Sequence, residues 1–352
     1  MIRILAADIG ATHCRFALFA AEIFDEDLPL LSIRRKRVFP GRAFPDCAAA
    51  LRSLFAADDG TQALLSPGEP VDAAVLAPAG PVLMQDGEAV CSMPNLPWVL
   101  RSGELRSLLG VSRVLLLNDL SAQAYACLLP AEADTVCALE GEAAPRAPLA
   151  VAAAGTGFGK AVLLCESGSA GEGKKERLER LSRARALPSE GGHAEFPFVG
   201  EEEFAFASFA ARKKGRRRLI GDDIVSGTGL ALIADYLTGS GASPEQAAEM
   251  CADRPEILAW YARFYGRLCR NCVLDALALG GLYVCGGMAL RVPVLSHPAF
   301  AEEFHAQTPP EHFLRLVPVW HMRAPEAGLF GAALYALLRL RDLEKQTYSD
   351  SK

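Results

Sequence analysis

Two turns rich in glycine and threonine are the segments of this sequence best suited to bind phosphate. The first reads Asp8-Ile9-Gly10-Ala11-Thr12, the second reads Gly155-Thr156-Gly157-Phe158-Gly159, and each lies between two apolar runs. The pattern predicts a strand, a tight turn and a second strand. Such a turn presents backbone N–H groups and a threonine hydroxyl to an anion. Two unrelated hairpins are the alternative interpretation, but the repetition favours a duplicated nucleotide-binding core.

Carboxylate, amide and imidazole side chains stand where predicted strands and turns end. Asp8 ends the first strand and could hold Mg²⁺ through water. Asn118 and Asp119 end another strand and open a helix, so a helix N-cap is their alternative role. Glu190 and His193 share a Gly-rich turn, which is otherwise a polar loop whose histidine bonds a backbone carbonyl. Phosphoryl transfer to an alcohol needs phosphate cradles, a carboxylate for the metal, a base, and groups that hold the acceptor.

The elements that must position these residues alternate between strand and helix, which predicts an α/β fold. Besides the two hairpins, strands are predicted at 71–77, 114–117 and 282–285, and the last is followed by Gly286 and Gly287. Helices are predicted at 45–57, 120–128, 202–213, 229–237, 244–251, 256–279 and 328–343.

Two segments have a different composition. Residues 166–185 are rich in Gly, Ser, Lys, Glu and Arg, and are interpreted as a surface loop or a short charged helix. Residues 212–218 carry six basic side chains around Gly215. A solvated surface is the simpler interpretation of this basic cluster, and a patch that binds a partner is the alternative.

Length and charge restrict the class of protein. A chain of 352 residues exceeds the usual size of a single core, so two lobes are expected. The chain is 51% hydrophobic, 22% charged and has a formal net charge of −6. This balance gives no electrostatic reason to bind nucleic acid or an anionic membrane, and we expect neither partner. We also expect no signal peptide, because Asp8 interrupts the first apolar run, and no membrane span.

The ten cysteines follow no disulfide framework and are mostly in apolar stretches. They are interpreted as buried thiols of a reducing compartment, which predicts a cytoplasmic location. Cys269 and Cys272 form a C-x-x-C pair, but the sequence offers no two further ligands nearby to complete a zinc site. We therefore interpret the pair as two small apolar side chains on a helix face.

The order of the motifs resembles the bacterial glucokinase family, within the hexokinase, actin and Hsp70 ATPase superfamily. The resemblance covers nearly the whole chain, and the segments E-G-G-H and N-D are its most specific part. The matching segments are AADIGATHCRFAL at 6–18, APAGP at 77–81, PNLPW at 94–98, LNDLSAQA at 117–124, AGTGFG at 154–159, LPSEGGHAEF at 187–196, SGTGL at 226–230, GGLYVCGG at 280–287 and GLFGAAL at 328–334.

The resemblance implies a two-lobed, ribonuclease-H-like ATPase fold with a duplicated mixed-sheet core and an interlobe cleft. It places the small lobe at 1–129 plus 326–352 and the large lobe at 130–325. It also implies a homodimer that phosphorylates glucose with Mg-ATP.

The resemblance also implies a role for individual residues. Asp119 is the expected catalytic base, and it accepts the proton of the sugar 6-hydroxyl. The expected sugar ligands are Asn118, Asp119, Glu190, His193 and Asp222. The expected ATP-binding residues are Asp8, Gly10, Ala11, Thr12, His13, Gly155, Thr156, Gly157, Gly286 and Gly287, with Asp8 also directing Mg²⁺ through water.

Three positions depart from the family pattern. Ala11 and His13 stand where the family usually has Gly and Asn, and Asp222 stands where it commonly has Glu. If position 11 needs a positive φ, alanine costs about 1 kcal/mol there. His13 brings a titratable donor to the phosphates, so that ATP binding would tighten below neutral pH. The shorter Asp222 predicts a water bridge or a looser fit to the sugar.

Several alternatives stay open on the sequence. A kinase for another hexose, or a catalytically weak sugar sensor on the same fold, would share these motifs. A nucleotide-binding interaction module would have no use for the E-G-G-H segment. A related kinase and repressor family has a Cys-rich zinc loop after its Gly-His, whereas His193 is followed by no cysteine until Cys251. ADP or polyphosphate is an alternative phosphoryl donor, although Gly286 and Gly287 favour an adenine nucleotide.

Overall fold

The computed structural model describes residues 1–22, 29–57, 62–165, 181–306 and 311–350, without the side chains of 311–312 and 341–350. The chain divides into two compact units. The first unit comprises Met1–Asp134, Gly168–Ala186 and Ala324–Lys352, and the second comprises Thr135–Ser167 and Leu187–Arg323. The predicted lobe boundaries stay a prediction.

Fourteen strands and eleven α-helices are found in the described residues. The strands are β1 Ile2–Ile9, β2 His13–Glu22, β3 Leu30–Pro40, β4 Ala73–Pro78, β5 Val82–Gln85, β6 Glu88–Ser92, β7 Val99–Arg101, β8 Val114–Leu116, β9 Thr135–Leu139, β10 Leu149–Ala154, β11 Phe158–Leu164, β12 Arg185–Ser189, β13 Leu282–Cys285 and β14 Val319–Met322. The helices are α1 Cys47–Ser53, α2 Ser102–Leu109, α3 Asp119–Ala126, α4 Gly200–Lys214, α5 Gly221–Ile224, α6 Gly227–Thr238, α7 Pro244–Met250, α8 Pro255–Ala276, α9 Gly287–Arg291, α10 Pro298–Phe304 and α11 Ala327–Asp350.

The first unit is built on a five-stranded sheet in the order β3-β2-β1-β4-β8. Strands β1 and β2 form an antiparallel hairpin, and β4 lies parallel to β1 on its other side. The central strands are buried apolar runs, as expected for strands covered on both faces. Helix α11 packs against α3, β1 and β4. The hairpin turn and the start of α3 are thereby fixed to one framework.

The second unit repeats this arrangement in a six-stranded sheet of order β12-β11-β10-β13-β14-β9. Strands β10 and β11 form the antiparallel hairpin, and β13 lies parallel to β10 on its other side. The long helix α8 buries an aromatic and aliphatic face in this unit's core. The predicted duplicated mixed-sheet α/β core is therefore confirmed, since both hairpins have the same neighbours in the same directions.

Most predicted elements exist, with ends that differ by a few residues. The helix predicted at 45–57 is shorter, because Asp46 caps it and it ends at Ser53. The helix predicted at 328–343 continues to Asp350. The antiparallel sheet β5-β6-β7 was not predicted, because its strands have only three to five residues and little alternation. Of the segment 166–185, residues 166–180 lie outside the described residues.

The basic cluster at 212–218 begins in the last turn of α4 and continues past Gly215, which takes the left-handed conformation that ends the helix. Cations at a helix C-terminus face the negative end of its dipole, which supports the solvated interpretation. All ten cysteines are free thiols, and Cys269 and Cys272 are buried in α8. Within the described part of the chain, no helix is long and apolar enough to cross a membrane.

Candidate active site

The first Gly/Thr turn joins β1 to β2 and is held by a short backbone bond. The N–H of Gly10 donates to the carbonyl of His13 at 2.9 Å. Thr12 and His13 are exposed, whereas Asp8 lies on β1 with its side chain 17% exposed. Arg15 Nη1 lies 3.2 Å from Asp8 Oδ2. Burial raises the pKa of the Asp8 carboxyl above its usual value, although Arg15 opposes the shift.

Gly41 supports this turn from behind, and sequence reasoning did not identify it. Its N–H donates to the carbonyl of Thr12 at 3.2 Å. A Cβ at position 41 would overlap the backbone carbonyls of Gly10 and Ala11. This contact joins residues that are about thirty positions apart, so the sequence gives little sign of it. The Pro-Gly pair at 40–41 is the one local signal.

Ala11 does not need the left-handed conformation. Among the described residues, the non-glycine positions with positive φ are Asp86, Asp134, Arg146 and Leu277. Ala11 therefore does not have a positive φ. The cost of about 1 kcal/mol that alanine would have in that conformation does not apply.

Asn118 and Asp119 combine the two roles that the sequence left open. Asn118 is the N-cap of α3, and its side-chain oxygen accepts the N–H of Ser121 at 3.2 Å. Its amide nitrogen donates to the carbonyl of Gly80 at 3.2 Å and to Asp119 Oδ1 at 3.0 Å. Asn118 is only 9% exposed. The N-cap thus also fixes the carboxylate of Asp119 in the first turn of the helix.

Gly80 gives a structural role to the segment APAGP at 77–81, for which the sequence alone indicated none. The segment 77–81 begins in the last two residues of β4 and continues past its end, and the N–H of Ala79 donates to the carbonyl of Ile9 at 2.9 Å. A Cβ at Gly80 would lie 3.1 Å from Cys91 Sγ and 3.2 Å from Pro94 Cδ. Its small size lets the chain bring a carbonyl to Asn118, which no local sequence signal could have revealed.

In the second unit, the second Gly/Thr turn lies against the start of helix α6. The N–H of Gly155 donates to the carbonyl of Gly157 at 2.9 Å, and the N–H of Gly227 donates to the carbonyl of Gly155 at 3.0 Å. Ser226 caps α6 by accepting the N–H of Gly229 at 3.1 Å. A Gly-rich turn beside a helix N-terminus is suited to bind phosphate.

Gly286 lies at the same end of the sheet. Its φ is +91°, and a Cβ there would lie 2.5 Å from the carbonyl oxygen of Ala154. Gly287 begins α9 and has open space where a Cβ would be. The second unit therefore brings together the turn at Gly155–Gly157 and the Gly286-Gly287 pair that the sequence assigned to the nucleotide.

Glu190, His193 and Asp222 form one polar group in the second unit. His193 Nδ1 lies 3.4 Å from Glu190 Oε2, and His193 Nε2 lies 3.6 Å from Asp222 Oδ2. Glu190 and His193 are more than half exposed, so both can meet a ligand. A hydroxyl that both donates and accepts is suited to such a set of carboxylates and an imidazole.

The residues around the first Gly/Thr turn are better suited to bind Mg²⁺ together with a nucleotide than to bind a metal ion through protein side chains alone. Within the described residues, no group of three or more His, Cys, Asp or Glu side chains is arranged to hold a metal ion. Asp8 does supply a carboxylate on the strand that leads into the first Gly/Thr turn. One carboxylate completed by water and phosphate oxygens is the coordination that Mg²⁺ commonly takes in phosphoryl-transfer sites.

The comparisons with known proteins agree on one family. The sequence model of the glucokinase family matches residues 5–339. A glucokinase of Pseudomonas aeruginosa is 30% identical over 353 residues, which cover 97% of this chain and 96% of that protein.

Three solved structures share the fold. The glucokinase of an Antarctic psychrotroph superimposes with a TM-score of 0.71 at 24% identity, covering 95% of this chain and 98% of that one. The Balamuthia mandrillaris glucokinase in complex with glucose has a TM-score of 0.70 at 21% identity, covering 95% and 93%. A ROK family glucokinase from Streptomyces griseus in complex with glucose and AMPPNP has a TM-score of 0.55 at 18% identity, covering 94% and 98%. The chain therefore belongs to the glucokinase family of ATP-dependent hexose kinases.

Proposed function

We propose that this protein transfers the γ-phosphoryl group of Mg-ATP to the 6-hydroxyl of D-glucose, giving glucose 6-phosphate and ADP. The observation that carries the proposal is the fixed carboxylate of Asp119, which receives a hydrogen bond from Asn118 at 3.0 Å. The glucose and AMPPNP complexes of the related enzymes support the choice of sugar and donor.

Asp119 is the proposed base. The Asn118 amide orients its carboxylate, and the N-terminal end of α3 favours a negative charge there. It would accept the proton of the 6-hydroxyl as that oxygen attacks phosphorus. Correct placement of such a base is worth on the order of 10²- to 10⁴-fold in rate.

The two Gly/Thr turns are the proposed phosphate sites. The turn at Gly10–Thr12 and the turn at Gly155–Gly157 would offer the phosphate oxygens backbone N–H groups other than those of Gly10 and Gly155, which bond within their own turns. Asp8 would hold Mg²⁺ through water, and the ion, when bound, offsets phosphate charge. Gly286 and Gly287 would lie against the adenosine, where a larger side chain would displace it.

The sugar is proposed to bind through Asn118, Asp119, Glu190, His193 and Asp222. Asn118 acts chiefly by holding Asp119, because its amide and carbonyl groups already make three hydrogen bonds. Glu190 and His193 are the exposed partners for sugar hydroxyls, and Asp222 would act through water. An epimer that leaves one buried polar group unpaired loses roughly 1–3 kcal/mol of binding.

A coupled assay of ADP release tests the proposal. It is run with Mg-ATP and glucose, mannose, fructose or glucosamine, on the wild type and on Asp119→Asn. We expect turnover with glucose that falls by about 10²- to 10⁴-fold in the variant, while calorimetry shows glucose still bound. Asp86→Asn, an exposed carboxylate in the turn between β5 and β6, is the control.

Other outcomes identify the alternatives. Faster turnover with another hexose would change the substrate but retain the kinase. Glucose binding without turnover of any hexose would favour a sugar sensor. Activity with ADP or polyphosphate in place of ATP would change the donor. The homodimer and the cytoplasmic location stay predictions, and sedimentation of the purified protein measures the first.

A further inference from the structure

The carboxylate of Asp222 joins the two functional turns of the second unit. Asp222 is the second residue of α5, and its Oδ1 accepts the N–H of Phe158 at 3.0 Å. Phe158 directly follows Gly157 in the phosphate turn. The other oxygen, Oδ2, lies 3.6 Å from Nε2 of His193 in the sugar turn. The carboxylate of Asp222 therefore faces both the turn proposed to bind phosphate and the turn proposed to bind the sugar.

Two glycines make room for this carboxylate. A Cβ at Gly157 would overlap the carboxylate of Asp222, and a Cβ at Gly192 would overlap both that carboxylate and the carbonyl of Phe158. Gly157 and Gly192 are in the two turns that Asp222 joins. Glycine at both positions therefore leaves space for the carboxylate of Asp222, since a side chain at either position would push the two turns apart.

The backbone that carries Asp222 is itself anchored. The N–H of Gly221 donates to the carbonyl of Ala194 at 3.0 Å. The neighbouring Asp223 is 3% exposed, accepts the N–H of Ile220 at 3.2 Å, and pairs with Arg216 at 3.1 Å and Lys214 at 3.2 Å. Two basic residues of the cluster at 212–218 thus hold the start of α5. Asp222 is not free to follow a ligand.

We infer that Asp222 is a positioning residue that couples the sugar turn to the phosphate turn. By accepting the Phe158 N–H it fixes the direction of the amide groups that follow Gly155, and by facing Nε2 it keeps Nδ1 of His193 toward Glu190. The inference rests on the proposed function. It predicts that glucose and the ATP analogue each raise the affinity for the other, by the same factor.

Three substitutions of Asp222 in the full chain separate this role from a simple sugar contact. Asp222→Asn keeps an oxygen for the Phe158 N–H but changes what faces His193. Asp222→Ala removes both contacts. Asp222→Glu moves the carboxylate by one methylene from the position for which Gly157 and Gly192 leave space. Asp253→Asn, an exposed carboxylate of the same unit, is the matched control.

The readouts are kcat, the KM for glucose, the KM for ATP, and the Kd of AMPPNP with and without glucose. We expect Asp222→Ala to raise both KM values about fivefold or more and to abolish the effect of glucose on AMPPNP binding, since typical couplings are about 5- to 150-fold. We expect Asp222→Asn to raise the glucose KM while the ATP KM stays within about twofold of wild type, because the Phe158 bond is retained.

A rise in the glucose KM alone in Asp222→Ala would overturn the coupling and leave a plain sugar ligand. An ATP KM that rises as much in Asp222→Asn as in Asp222→Ala would also contradict it. If Asp222→Ala does not fold, the KM values and the AMPPNP Kd of Asp222→Asn and Asp222→Glu test the coupling instead. A wild type without hexose kinase activity contradicts the proposed function instead, and amide exchange at Phe158, faster in Asp222→Ala than in Asp222→Asn, still reports the positioning contact.

Discussion

Asn118 combines a helix cap with a hydrogen bond to the proposed base, Asp119. Its oxygen caps α3, and its nitrogen orients Asp119. The two functions can be separated, because an aspartate at 118 retains the capping oxygen but cannot donate. It would instead place a second carboxylate against Asp119, which misaligns or protonates the base.

We therefore predict that both substitutions of Asn118 lower stability and kcat, for different reasons. Asn118→Ala should lose about 0.5–2 kcal/mol of stability through the lost cap, and it also removes the donor to Asp119. Asn118→Asp keeps the cap but places an acceptor against the Gly80 carbonyl and the Asp119 carboxylate, which should destabilise the protein. It should lose about 10- to 100-fold in kcat, because small misplacements of a catalytic group are costly. Urea unfolding and the ADP-release assay measure the pair. Equal kcat in Asn118→Asp and the wild type would show that Asp119 does not need the donor.

Asp8 gives a prediction with a defined pH dependence. Its folded-state pKa is raised by burial, so the folded protein holds the proton more tightly than the unfolded chain. The stability linked to this group is therefore full below the unfolded pKa of 3.8, and is lost as pH rises through the folded pKa. At neutral pH the ionised, buried carboxylate opposes folding. A carboxylate that opposes folding and lies beside a proposed phosphate site indicates a functional role.

Asp8→Asn should accordingly melt at a higher temperature than the wild type at pH 7 in EDTA and without nucleotide. The difference should shrink as the pH falls toward 4, because Asp8 of the wild type becomes protonated as well. Activity should fall by about 10- to 100-fold, as expected for a residue that holds the metal through water. A lower melting temperature at pH 7 would mean that the pair with Arg15 outweighs burial.

At the scale of secondary-structure elements, the packing of α11 on α3 depends on a glycine at the contact between the two helices. A Cβ at Gly331 would overlap the carbonyl of Ala122 and lie 2.8 Å from the N–H nitrogen of Ala126. At this glycine the two helices are too close to leave room for a side chain. Helix α3 also carries Asp119 in its first turn, so its position affects the proposed base.

Gly331→Ala should destabilise the protein although alanine is the better helix former. The intrinsic gain of about 1 kcal/mol is outweighed, because overpacking at a helix contact costs roughly 1–3 kcal/mol and the overlap is with backbone atoms. We also expect a lower kcat, since α3 must shift. Thermal unfolding and steady-state kinetics test both effects. A stabilised, fully active variant would show that α11 moves freely relative to α3.

The hairpins and long helices were predictable from the sequence because their signals are local. Apolar runs around Gly/Thr turns gave both hairpins, and helical stretches in the sequence gave α7 and α8 within about three residues. The short strands β5–β7 carry no such signal. At the site, polar residues at strand ends marked Asp8, Asn118 and Asp119. The supporting Gly41 and Gly80 act through backbone contacts between distant segments, which one sequence does not encode in readable form.

On the scale of the whole chain, each unit has its own hydrophobic core and its own hairpin with a Gly/Thr turn. A perturbation inside one core should therefore destabilise that unit first. The second unit contains a buried ionic network that allows a direct test. Arg267 is 2% exposed, its Nη2 donates to Glu203 Oε1 at 3.0 Å, and its Nε donates to Glu303 Oε1 at 2.8 Å. The network joins α4, α8 and α10.

Arg267→Met should destabilise the second unit, by less than the roughly 3–5 kcal/mol that a fully broken buried ion pair costs. The loss is smaller because Glu203 keeps Arg263 at 3.3 Å and Glu303 keeps Arg270 at 3.1 Å. Trp98 is in the first unit, and Trp260 and Trp320 are in the second, so urea unfolding of single-tryptophan forms reports each unit separately. We expect the Trp260 and Trp320 transitions to move to lower urea while the Trp98 transition keeps its midpoint. A common shift of all three would mean instead that the two cores unfold as one cooperative structure, and that the network stabilises the entire chain.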